Sequence, residues 1–396
     1  MVTDPPSDVR TLLLLGAGEL GRELALVARS LGIRVVAADE YADAPAMQVA
    51  NQSEILSLMD AHELEALLHR VSPDLVVPDV EAVQAEKLEE LEERGVRVIP
   101  NARALRLVAR REAMRELAHG EVGIPTPRYS VAHSEEELRA ACDTLGYPCV
   151  VKPVRSSFGR GQTVVSGAAR VPVAWAFARA EPHSGGDSVL VEEYVPFEQE
   201  ITLLMVREWT GAVQHLPPVG HRQGLGGYQE SWSPVDVTAQ RLEEARAMGA
   251  RLVESIGGAG VFGLEFFLTP EAILFSEVSC GPHDTGFVTL TSLKYSQFQY
   301  HLRAILGLPL PPPESAGPSA SAAILAQGDG RVLGYRGVER ALQVEDSDLR
   351  IFGKPRAHRF RRMGVALARG ESVEQARRRA LETASRVELV LGRDDD

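Results

Sequence analysis

The sequence predicts a mixed architecture, an α/β unit with a parallel sheet followed by an α+β region, and three observations support this prediction. Near the N-terminus, apolar runs such as 11–15 and 35–38 alternate with amphipathic stretches, which is typical of a parallel sheet covered by helices on both faces. Two later runs, 262–268 and 273–279, are separated by a short turn, as in an antiparallel hairpin. A stretch rich in Pro, Ser and Gly, 308–321, then indicates a linker or a domain edge.

In the first unit, strands and helices follow one another regularly as far as Pro100. Residues 1–10, before this unit, are polar and rich in proline, so we expect them to be disordered. Apolar runs predict strands at 11–15, 35–38, 75–77 and 96–99. Helical spacing predicts helices at 19–31, 63–69 and 82–94.

The region after Pro100 combines longer helices with further strands. Helical spacing predicts helices at 102–117, 135–145, 239–256 and 373–385. Besides the hairpin, strands are predicted at 149–153, 189–193 and 200–206. This mixture no longer alternates strictly, which is why the region is assigned to the α+β class.

Composition and charge exclude several classes of protein. The chain has 396 residues, 44% of them hydrophobic, which allows two or three globular domains. No apolar run approaches the roughly 18–20 residues of a membrane span, and we see no secretory signal, so we expect no membrane partner and a cytoplasmic location. The net charge of −13 argues against a nucleic-acid partner. The three cysteines show no metal-ligand spacing. An anionic ligand must therefore be held by a few local cations.

The first candidate motif is Gly-Ala-Gly-Glu-Leu-Gly at 16–21, between a predicted strand and a predicted helix. With Asp39 and Glu40 downstream, it has the context of a dinucleotide-binding fingerprint, which would indicate a dehydrogenase. However, Glu19 places a carboxylate where a pyrophosphate would lie. A carboxylate suits an amine substrate better, and a tight turn that binds no ligand is the other interpretation.

The second motif is Lys152 followed by a loop rich in Gly, Ser and Arg at 155–161. A lysine at the end of a buried strand can reach phosphate oxygens, and a Gly-rich loop can direct backbone N–H groups at a polyphosphate. The loop is not a Walker A motif, because no Gly-Lys-Ser/Thr sequence occurs in the chain. A surface loop without a ligand would have the same composition.

The third motif is the pair Glu265 and Glu277, one on each strand of the predicted hairpin. The turn near Glu271 places the two carboxylates nearly opposite each other. Adjacent carboxylates in apolar strands repel each other and are costly to bury unless a cation joins them. Mg²⁺ held by one or two carboxylates and by phosphates is usual at ATP sites. The alternative is that both side chains face solvent.

Two further groups follow in the sequence. Asp284 and His283, in Pro-His-Asp-Thr-Gly, could orient or deprotonate an amine, although a single histidine is more often structural. Lys354, Arg361 and Arg362 form a local cation cluster that could bind a phosphate monoester. A solvated basic loop is the alternative for this cluster.

These motifs occur in the same order in one enzyme family. The chain resembles the formate-dependent phosphoribosylglycinamide formyltransferases of the ATP-grasp superfamily, from about residue 11 to residue 390. The most specific stretches are Gly-Glu-Leu-Gly (18–21), Tyr-Ala-Asp-Ala-Pro-Ala-Met (41–47), Pro-Val-Gly-His-Arg-Gln (218–223), Pro-His-Asp-Thr-Gly (282–286) and Phe-Gly-Lys-Pro (352–355). The resemblance implies a pre-ATP-grasp α/β domain over 11–110, an ATP-grasp domain over 111–310 and a small C-terminal domain over 320–392.

The resemblance also implies an activity and the residues that carry it. Formate and ATP would give formyl phosphate and ADP, and the amine of a phosphorylated ribonucleotide would then take the formyl group. Family members are usually homodimers. The residues implied to contact ATP are Arg111, Lys152, Ser157, Phe158, Gly159, Arg160, Gly161, Gln162, Glu192, Val195 and Glu200. Those implied to hold Mg²⁺ are Glu265 and Glu277. Those implied to bind the ribonucleotide are Glu19, Leu20, Glu81, Asp284, Lys354, Arg361 and Arg362. The catalytic residues so implied are Asp284, Lys152 and Arg111.

The chain departs from the family pattern at three places. Cys280-Gly281 stands where the family usually has Pro-Arg, Phe158 and Arg160 stand where it has Ser and Lys, and 224–227 replaces acidic residues with Gly-Leu-Gly-Gly. Loss of an arginine beside the expected metal ligands is not conservative. A paralogous ligase for a different acid or amine is therefore the alternative, with a bicarbonate-dependent carboxyaminoimidazole ribonucleotide synthetase as one variant. A catalytically weak nucleotide sensor is a third hypothesis, against which the retained Glu265 and Glu277 speak.

Overall fold

The structure is a computed structural model that describes residues 9–80, 82–155, 161–180, 188–224 and 227–392. Residues 1–8 of the segment expected to be disordered lie outside this part. Arg10, in contrast, belongs to the fold, because its N–H donates to the Asp74 carboxylate at 2.9 Å and its carbonyl accepts from the Arg34 N–H.

The N-terminal unit is a parallel sheet with helices on both faces, as predicted. Its strands are β1 (Thr11–Leu15), β2 (Arg34–Asp39), β3 (Gln52–Ile55), β4 (Leu75–Pro78) and β5 (Arg97–Val98), in the spatial order β3-β2-β1-β4-β5. Its helices are α1 (Glu19–Ser30), α2 (Ala61–Val71) and α3 (Ala85–Glu93). Alternate leucines of β1 pack into separate cores on the two faces, which explains the continuous apolar run. Strand β3 was not predicted, because its Gln-Ser-Glu-Ile sequence lies at a half-exposed edge.

The predicted helix 102–117 is interrupted. It consists of α4 (Ala102–Val108), α5 (Arg111–Arg115) and a π-helical turn (Glu116–Glu121). Arg110 has extended backbone angles, and the Arg111 N–H donates to the Val154 carbonyl at 3.0 Å instead of continuing the helix. The break therefore joins α5 to the end of a strand in the next sheet.

The smaller of the two central sheets is antiparallel. Its strands are β6 (Tyr129–Ala132), β7 (Cys149–Pro153), β8 (Thr163–Val165) and β9 (Val189–Glu193), in the order β6-β9-β7-β8. Helices α6 (Glu135–Leu145) and α7 (Val171–Arg179) pack on it, and a 3₁₀ turn (Ala168–Arg170) precedes α7. The strands at 149–153 and 189–193 and the helix at 135–145 have the predicted bounds.

The larger central sheet is continuous across the predicted linker. Its strands are β10 (Gln199–Arg207), β11 (Val213–His215), β12 (Val219–Gly224), β13 (Gly227–Ser233), β14 (Gly260–Leu268), β15 (Ile273–Ser279), β16 (Ser319–Leu325), β18 (Ser347–Ile351) and β20 (Arg362–Arg369). They pair in the order β15-β14-β10-β12-β13-β16-β20-β18, with β11 on β10. The linker predicted at 308–321 was too long at its C-terminal end, because β16 begins at Ser319 and pairs with β13 from that residue on.

The remaining elements complete the C-terminal half. Strands β17 (Gly330–Arg336), β19 (Arg356–Ala357) and β21 (Glu388–Gly392) form a small sheet. The helices are α8 (Ala239–Ile256), a 3₁₀ turn (Asp284–Val288), α9 (Thr289–Ser292), α10 (Gln297–Ile305), α11 (Val338–Ala341) and α12 (Val373–Ser385). Helices α8 and α12 have the predicted bounds. Over the described ranges, none of the helices is both long and apolar enough to cross a bilayer.

Candidate active site

The hairpin of β14 and β15 places Glu265 and Glu277 directly opposite each other, as the position of the turn predicts. A β-bulge follows Glu265. Glu265 is only 6% exposed, whereas about half of the Glu277 side chain reaches solvent. Arg111 Nη1 lies 3.8 Å from Glu277 Oε1, so α5 and the hairpin face each other across a small cleft.

Among the described residues, Glu265 is surrounded by polar groups and forms no ion pair with a lysine or an arginine. Gln223 Nε2 donates to both of its oxygens at 3.1 and 3.3 Å. Two imidazole Nε2 atoms approach its Oε1, that of His283 at 3.4 Å and that of His221 at 3.7 Å. Burial raises the pKa of Glu265 well above its usual range, and the carboxylates of Glu200 and Glu277 raise it further. A cation at this position would relieve that repulsion.

A buried chain of side chains joins the two histidines. His221 Nδ1 lies 3.2 Å from Thr202 Oγ1, Thr285 Oγ1 donates to the same oxygen at 2.9 Å, and His283 Nδ1 lies 2.8 Å from Thr285 Oγ1. His221 was not singled out from the sequence, although the Pro-Val-Gly-His-Arg-Gln motif was a signal. Glu200, one of the expected ATP contacts, has its Oε2 only 3.3 Å from His221 Nε2.

On the other side of the cleft, Lys152 belongs to a buried ion triad. Glu192 is 2% exposed and accepts from Lys152 Nζ at 2.5 Å and from Arg115 Nε at 2.6 Å. Burial alone would raise the pKa of Glu192, but the two cations reverse this and lower it to about 2. Because the Glu192 carboxylate already pairs with these two cations, a contact between Glu192 and ATP would have to involve its main-chain atoms. Arg115 was missed, although it follows Arg111 at helical spacing.

Several expected ATP contacts lie in or near the Gly-rich loop. Ser157, Phe158, Gly159 and Arg160 fall outside the described residues. Gly161 and Gln162 directly precede β8, and Gly161 has a positive φ of 68°. Val195, in the connection after β9, is nearly buried.

A second ion cluster lies at the N-terminus of α1. Lys354 Nζ donates to Glu19 at 2.7 Å, Arg362 donates to Glu19 at 3.1 Å, and Arg362 Nη1 donates to Asp284 at 2.9 Å. Burial alone would raise the pKa of Glu19, but Lys354 and Arg362 lower it to about 2. Burial lowers the pKa of Lys354 to about 8 despite the adjacent Glu19. Four residues from three distant parts of the chain thus meet at this point.

Other members of the expected ribonucleotide set lie around this cluster. Arg361 Nη2 lies 3.4 Å from the Tyr41 hydroxyl, with its guanidinium carbon 5.7 Å from that ring. Leu20 packs against the aromatic cluster that contains Phe287 and Phe352. Glu81 lies outside the described residues. Tyr41 was not assigned a role from the sequence.

The glycine turn before α1 does not favour a dinucleotide. The Asp39 Oδ2, which a dinucleotide ribose would require, accepts the Ala17 N–H at 2.6 Å. Asp79, at the end of β4, accepts the Gly21 N–H at 2.8 Å, so a second carboxylate lies at this turn. With Glu19 also present, the turn is too acidic for a pyrophosphate.

Comparisons with known proteins agree with this geometry. Three family models match the chain in order: the ribonucleotide synthetase preATP-grasp domain (residues 9–109), the ATP-grasp domain (117–298) and the domain described as PurT, C-terminal (319–387). Among solved structures, glycinamide-RNase-transformylase T from Mycobacterium tuberculosis is 34% identical with a TM-score of 0.79, covering 96% of this chain and 100% of that one. N5-carboxyaminoimidazole ribonucleotide synthetase from Thermotoga maritima is 26% identical with a TM-score of 0.84, covering 97% and 100%.

Curated relatives are more similar still. The formate-dependent phosphoribosylglycinamide formyltransferase of Synechocystis sp. is 50% identical over 386 residues, which is 98% of this chain and 99% of that protein. The enzyme of the same name from Nitratidesulfovibrio vulgaris is 49% identical over 380 residues, 96% of each chain. With this identity over nearly its whole length, the protein belongs to the family of formate-dependent phosphoribosylglycinamide formyltransferases.

Proposed function

We propose that the protein is an ATP-dependent carbon–nitrogen ligase that activates formate as formyl phosphate and passes the formyl group to the amine of glycinamide ribonucleotide. The observation that carries this proposal is the arrangement of three charged environments. Lys152 and Arg111 face Glu277 across a cleft, and His283 and Asp284 connect the buried Glu265 to the second ion cluster. The first environment suits a polyphosphate, the second a cation, and the third a phosphate monoester beside an amine.

In the first step, a formate oxygen attacks the γ-phosphorus of ATP, the bond to the ADP oxygen breaks, and ADP leaves. Phosphoryl transfer depends on positioning and on charge neutralisation more than on covalent catalysis. Lys152 and Arg111 supply positive charge on the α5 side. Lys152 already pairs with Glu192, so its ammonium is held in place before the nucleotide binds.

The carboxylates of Glu265 and Glu277 fit a hard cation. In the described part of the chain, no lysine or arginine forms an ion pair with Glu265, and neighbouring carboxylates raise its pKa. Glu265 and Glu277 would hold Mg²⁺, which when bound would neutralise charge on the transferred phosphoryl group.

In the second step, the amine nitrogen attacks the formyl carbon, the carbon–oxygen bond breaks, inorganic phosphate leaves, and the amine loses a proton. We assign the orientation of this amine to Asp284, which the ion pair with Arg362 holds in position. Burial would raise the pKa of Asp284, but Arg362 lowers it below the ordinary value, so the carboxylate is a weak base. His283, whose pKa burial lowers, is neutral near pH 7 and lies beside it.

The remaining assignments belong to the same proposal. The proposed ATP contacts are Arg111, Lys152, residues 157–162, Glu192, Val195 and Glu200. The proposed ribonucleotide contacts are Glu19, Leu20, Glu81, Asp284, Lys354, Arg361 and Arg362. The proposal also includes the domain boundaries expected from the sequence (11–110, 111–310 and 320–392). It further includes assembly of the chain into a homodimer. Size-exclusion chromatography with light scattering tests the dimer, and a mass of one 43.0 kDa chain would contradict it.

An ADP-release assay tests the activity. The purified protein is supplied with ATP, Mg²⁺ and formate, bicarbonate or acetate, each with and without glycinamide ribonucleotide. We expect sustained ADP release only with formate and the ribonucleotide together, and a product heavier by one formyl group in mass spectrometry. ADP release that is equal without formate, or a product carrying a different acid, contradicts the proposal.

A paralogous ligase for a larger acid is the second candidate, and one observation favours it. Gly281 lies four residues after Glu277, and a Cβ atom added there would have no heavy atom within 4 Å. The absent arginine of the family pattern thus leaves open space near the expected metal ligands. The acetate arm of the assay distinguishes the two candidates.

A further inference from the structure

Three neighbouring strands bring together donor atoms that the proposed reaction does not use as a set. Glu200 on β10, His221 on β12 and Glu265 on β14 lie on one face of the large sheet, because β10 pairs with both other strands. One oxygen or nitrogen atom from each residue lies within 4.8 Å of the others. Metal ligands at bond lengths of about 2.0–2.2 Å are compatible with this spacing.

The nitrogen of this set has no hydrogen-bond partner. The His221 side chain is 0% exposed, and its Nε2 neither donates nor accepts a hydrogen bond in the described part of the chain. Glu200 Oε2 at 3.3 Å and Glu265 Oε1 at 3.7 Å are its nearest carboxylate oxygens. Leaving a buried polar atom unsatisfied is destabilising. An ion that accepts the nitrogen lone pair and both carboxylates would remove that cost.

The surroundings hold these donors in position. If His221 Nδ1 donates to Thr202 Oγ1, which is 3.2 Å away, its Nε2 keeps a lone pair directed at the two carboxylates. A hydrogen bond from the second ring nitrogen is the usual way in which proteins orient a metal-binding histidine. Gln223 Nε2 similarly fixes the Glu265 carboxylate through both of its oxygens.

We propose that Glu200, His221 and Glu265 form a binding site for a divalent first-row transition-metal ion, separate from the Glu265–Glu277 pair that faces the phosphates. An imidazole nitrogen favours such ions over Mg²⁺, which prefers an all-oxygen shell. Glu265 would be shared between the two ions. The second Glu200 oxygen stays available for a ribose hydroxyl, so the site is compatible with nucleotide binding and needs no nucleotide to form.

Manganese binding to the metal-free protein tests the site directly. The chelator-treated chain is titrated with Mn²⁺ in the absence of ATP and formate, and pulsed electron paramagnetic resonance records coupling of the bound ion to ¹⁴N. We expect one tightly bound Mn²⁺ with imidazole-nitrogen coupling, because the Glu265–Glu277 pair needs the phosphate oxygens of ATP to complete its ligand shell. In His221→Asn, the amide can replace Nδ1 at Thr202 but not Nε2, so the coupling should disappear and the Mn²⁺ affinity should fall at least tenfold.

Three further variants make the result specific. Glu277→Gln removes the phosphate-facing ligand and should keep both the affinity and the nitrogen coupling. His301→Asn is the matched control, because His301 is equally buried and its Nδ1 only accepts the Val261 N–H at 3.0 Å; it should bind Mn²⁺ within about twofold of the unmodified chain. Glu200→Gln should weaken binding like His221→Asn.

The inference is overturned if the unmodified protein shows no nitrogen coupling, or if the coupling persists in His221→Asn, since another histidine is then the ligand. If His221→Asn does not fold, unchanged Mn²⁺ affinity in Glu200→Gln overturns it instead. Because no ATP or formate is present, failure of the ligase assay and failure of this inference are distinguishable.

Discussion

Two buried charged regions of this protein differ in the source of the positive charge that balances their carboxylates. At the start of α1, the carboxylates of Glu19 and Asp284 are matched by Lys354 and Arg362 from the protein itself. Around Glu265, the described residues offer carboxylates, imidazoles and an amide, but no lysine or arginine in an ion pair with it. Since buried charge is costly unless compensated, the first region is balanced within the protein, whereas the second would be balanced by the cation that we propose.

The comparison predicts its largest effect for Glu265→Gln. Removing one of several repelling carboxylates should leave the free energy of unfolding unchanged or raise it in metal-free buffer. The catalytic rate should fall about 1000-fold or more, because a metal supplies several kcal/mol of charge stabilisation in the transition state. Urea denaturation and the ADP-release assay measure the two quantities. A Glu265→Gln variant that is clearly less stable but active would show that the Glu265 carboxylate stabilises the fold and is not needed for catalysis.

Glu19→Gln should have the opposite effect on stability. Without the Glu19 carboxylate, Lys354 and Arg362 stay buried with one anionic partner fewer. Breaking a buried ion pair lowers the free energy of unfolding by about 3–5 kcal/mol. Denaturant unfolding measures this loss. Glu243→Gln is the control, because Glu243 pairs with Arg246 at the surface with 70% of its side chain exposed, and such pairs contribute at most about 1 kcal/mol. Equal losses in both variants would show that the α1 cluster does not stabilise the fold.

Arg361 adds positive charge beside the Glu19 cluster, whose charges are already balanced, so we expect it to bind the phosphate of the ribonucleotide. Arg361→Ala should raise the KM for the ribonucleotide about tenfold or more while the KM for ATP stays constant, since charge-assisted hydrogen bonds contribute about 1.5–3 kcal/mol. Arg359→Ala, a change of equal charge on the same loop, should change the KM by less than twofold, roughly the limit expected of a surface substitution. Arg362→Ala should also weaken binding, but it removes partners of Glu19 and Asp284 as well.

The KM for the ribonucleotide should depend on pH through Lys354, which belongs to the Glu19 cluster. Burial lowers the pKa of Lys354 to about 8, so its ammonium is charged below that pH and neutral above it. We expect the KM for the ribonucleotide to be constant at neutral pH and to rise about tenfold per pH unit well above the pKa. Lys354→Arg keeps its charge and should remove this rise. A KM that rises equally in both proteins would assign the dependence to another group.

The smallest expected effect concerns Gly281. The φ of +158° at Gly281 lies at the edge of the region that favours glycine, so any side chain there has a backbone cost. A Cβ atom at this position nevertheless meets no heavy atom of the described residues within 4 Å, and an arginine would bring a cation towards the acid-binding side of Glu277. We expect Gly281→Arg to raise kcat/KM for formate several-fold, in line with about 1 kcal/mol from a partly exposed charge pair. Gly281→Ala has the same backbone cost without the charge, so it should not raise kcat/KM for formate. Tight use of formate by the natural chain, with no gain from the arginine, would contradict this expectation.

Much of the local structure followed from local patterns. The strands at 149–153 and 189–193 and the helices at 135–145 and 373–385 have the predicted bounds, because their apolar periodicity and caps lie within a few residues. The half-exposed edge strand β3 and the hairpin of β12 and β13 were not predicted, since their polar sequences become strands only through pairing with neighbours.

By itself, the sequence determined the α/β beginning, the family, and the opposition of Glu265 and Glu277, which depends only on the length of one turn. It could not place Arg115 on Glu192, or His221 beside Glu200 and Glu265. These contacts depend on the order β14-β10-β12 and on the break before α5, which are set by pairing between segments far apart in the chain. Only the tertiary structure therefore decided which buried carboxylates are neutralised by the protein and which are left for a bound ion.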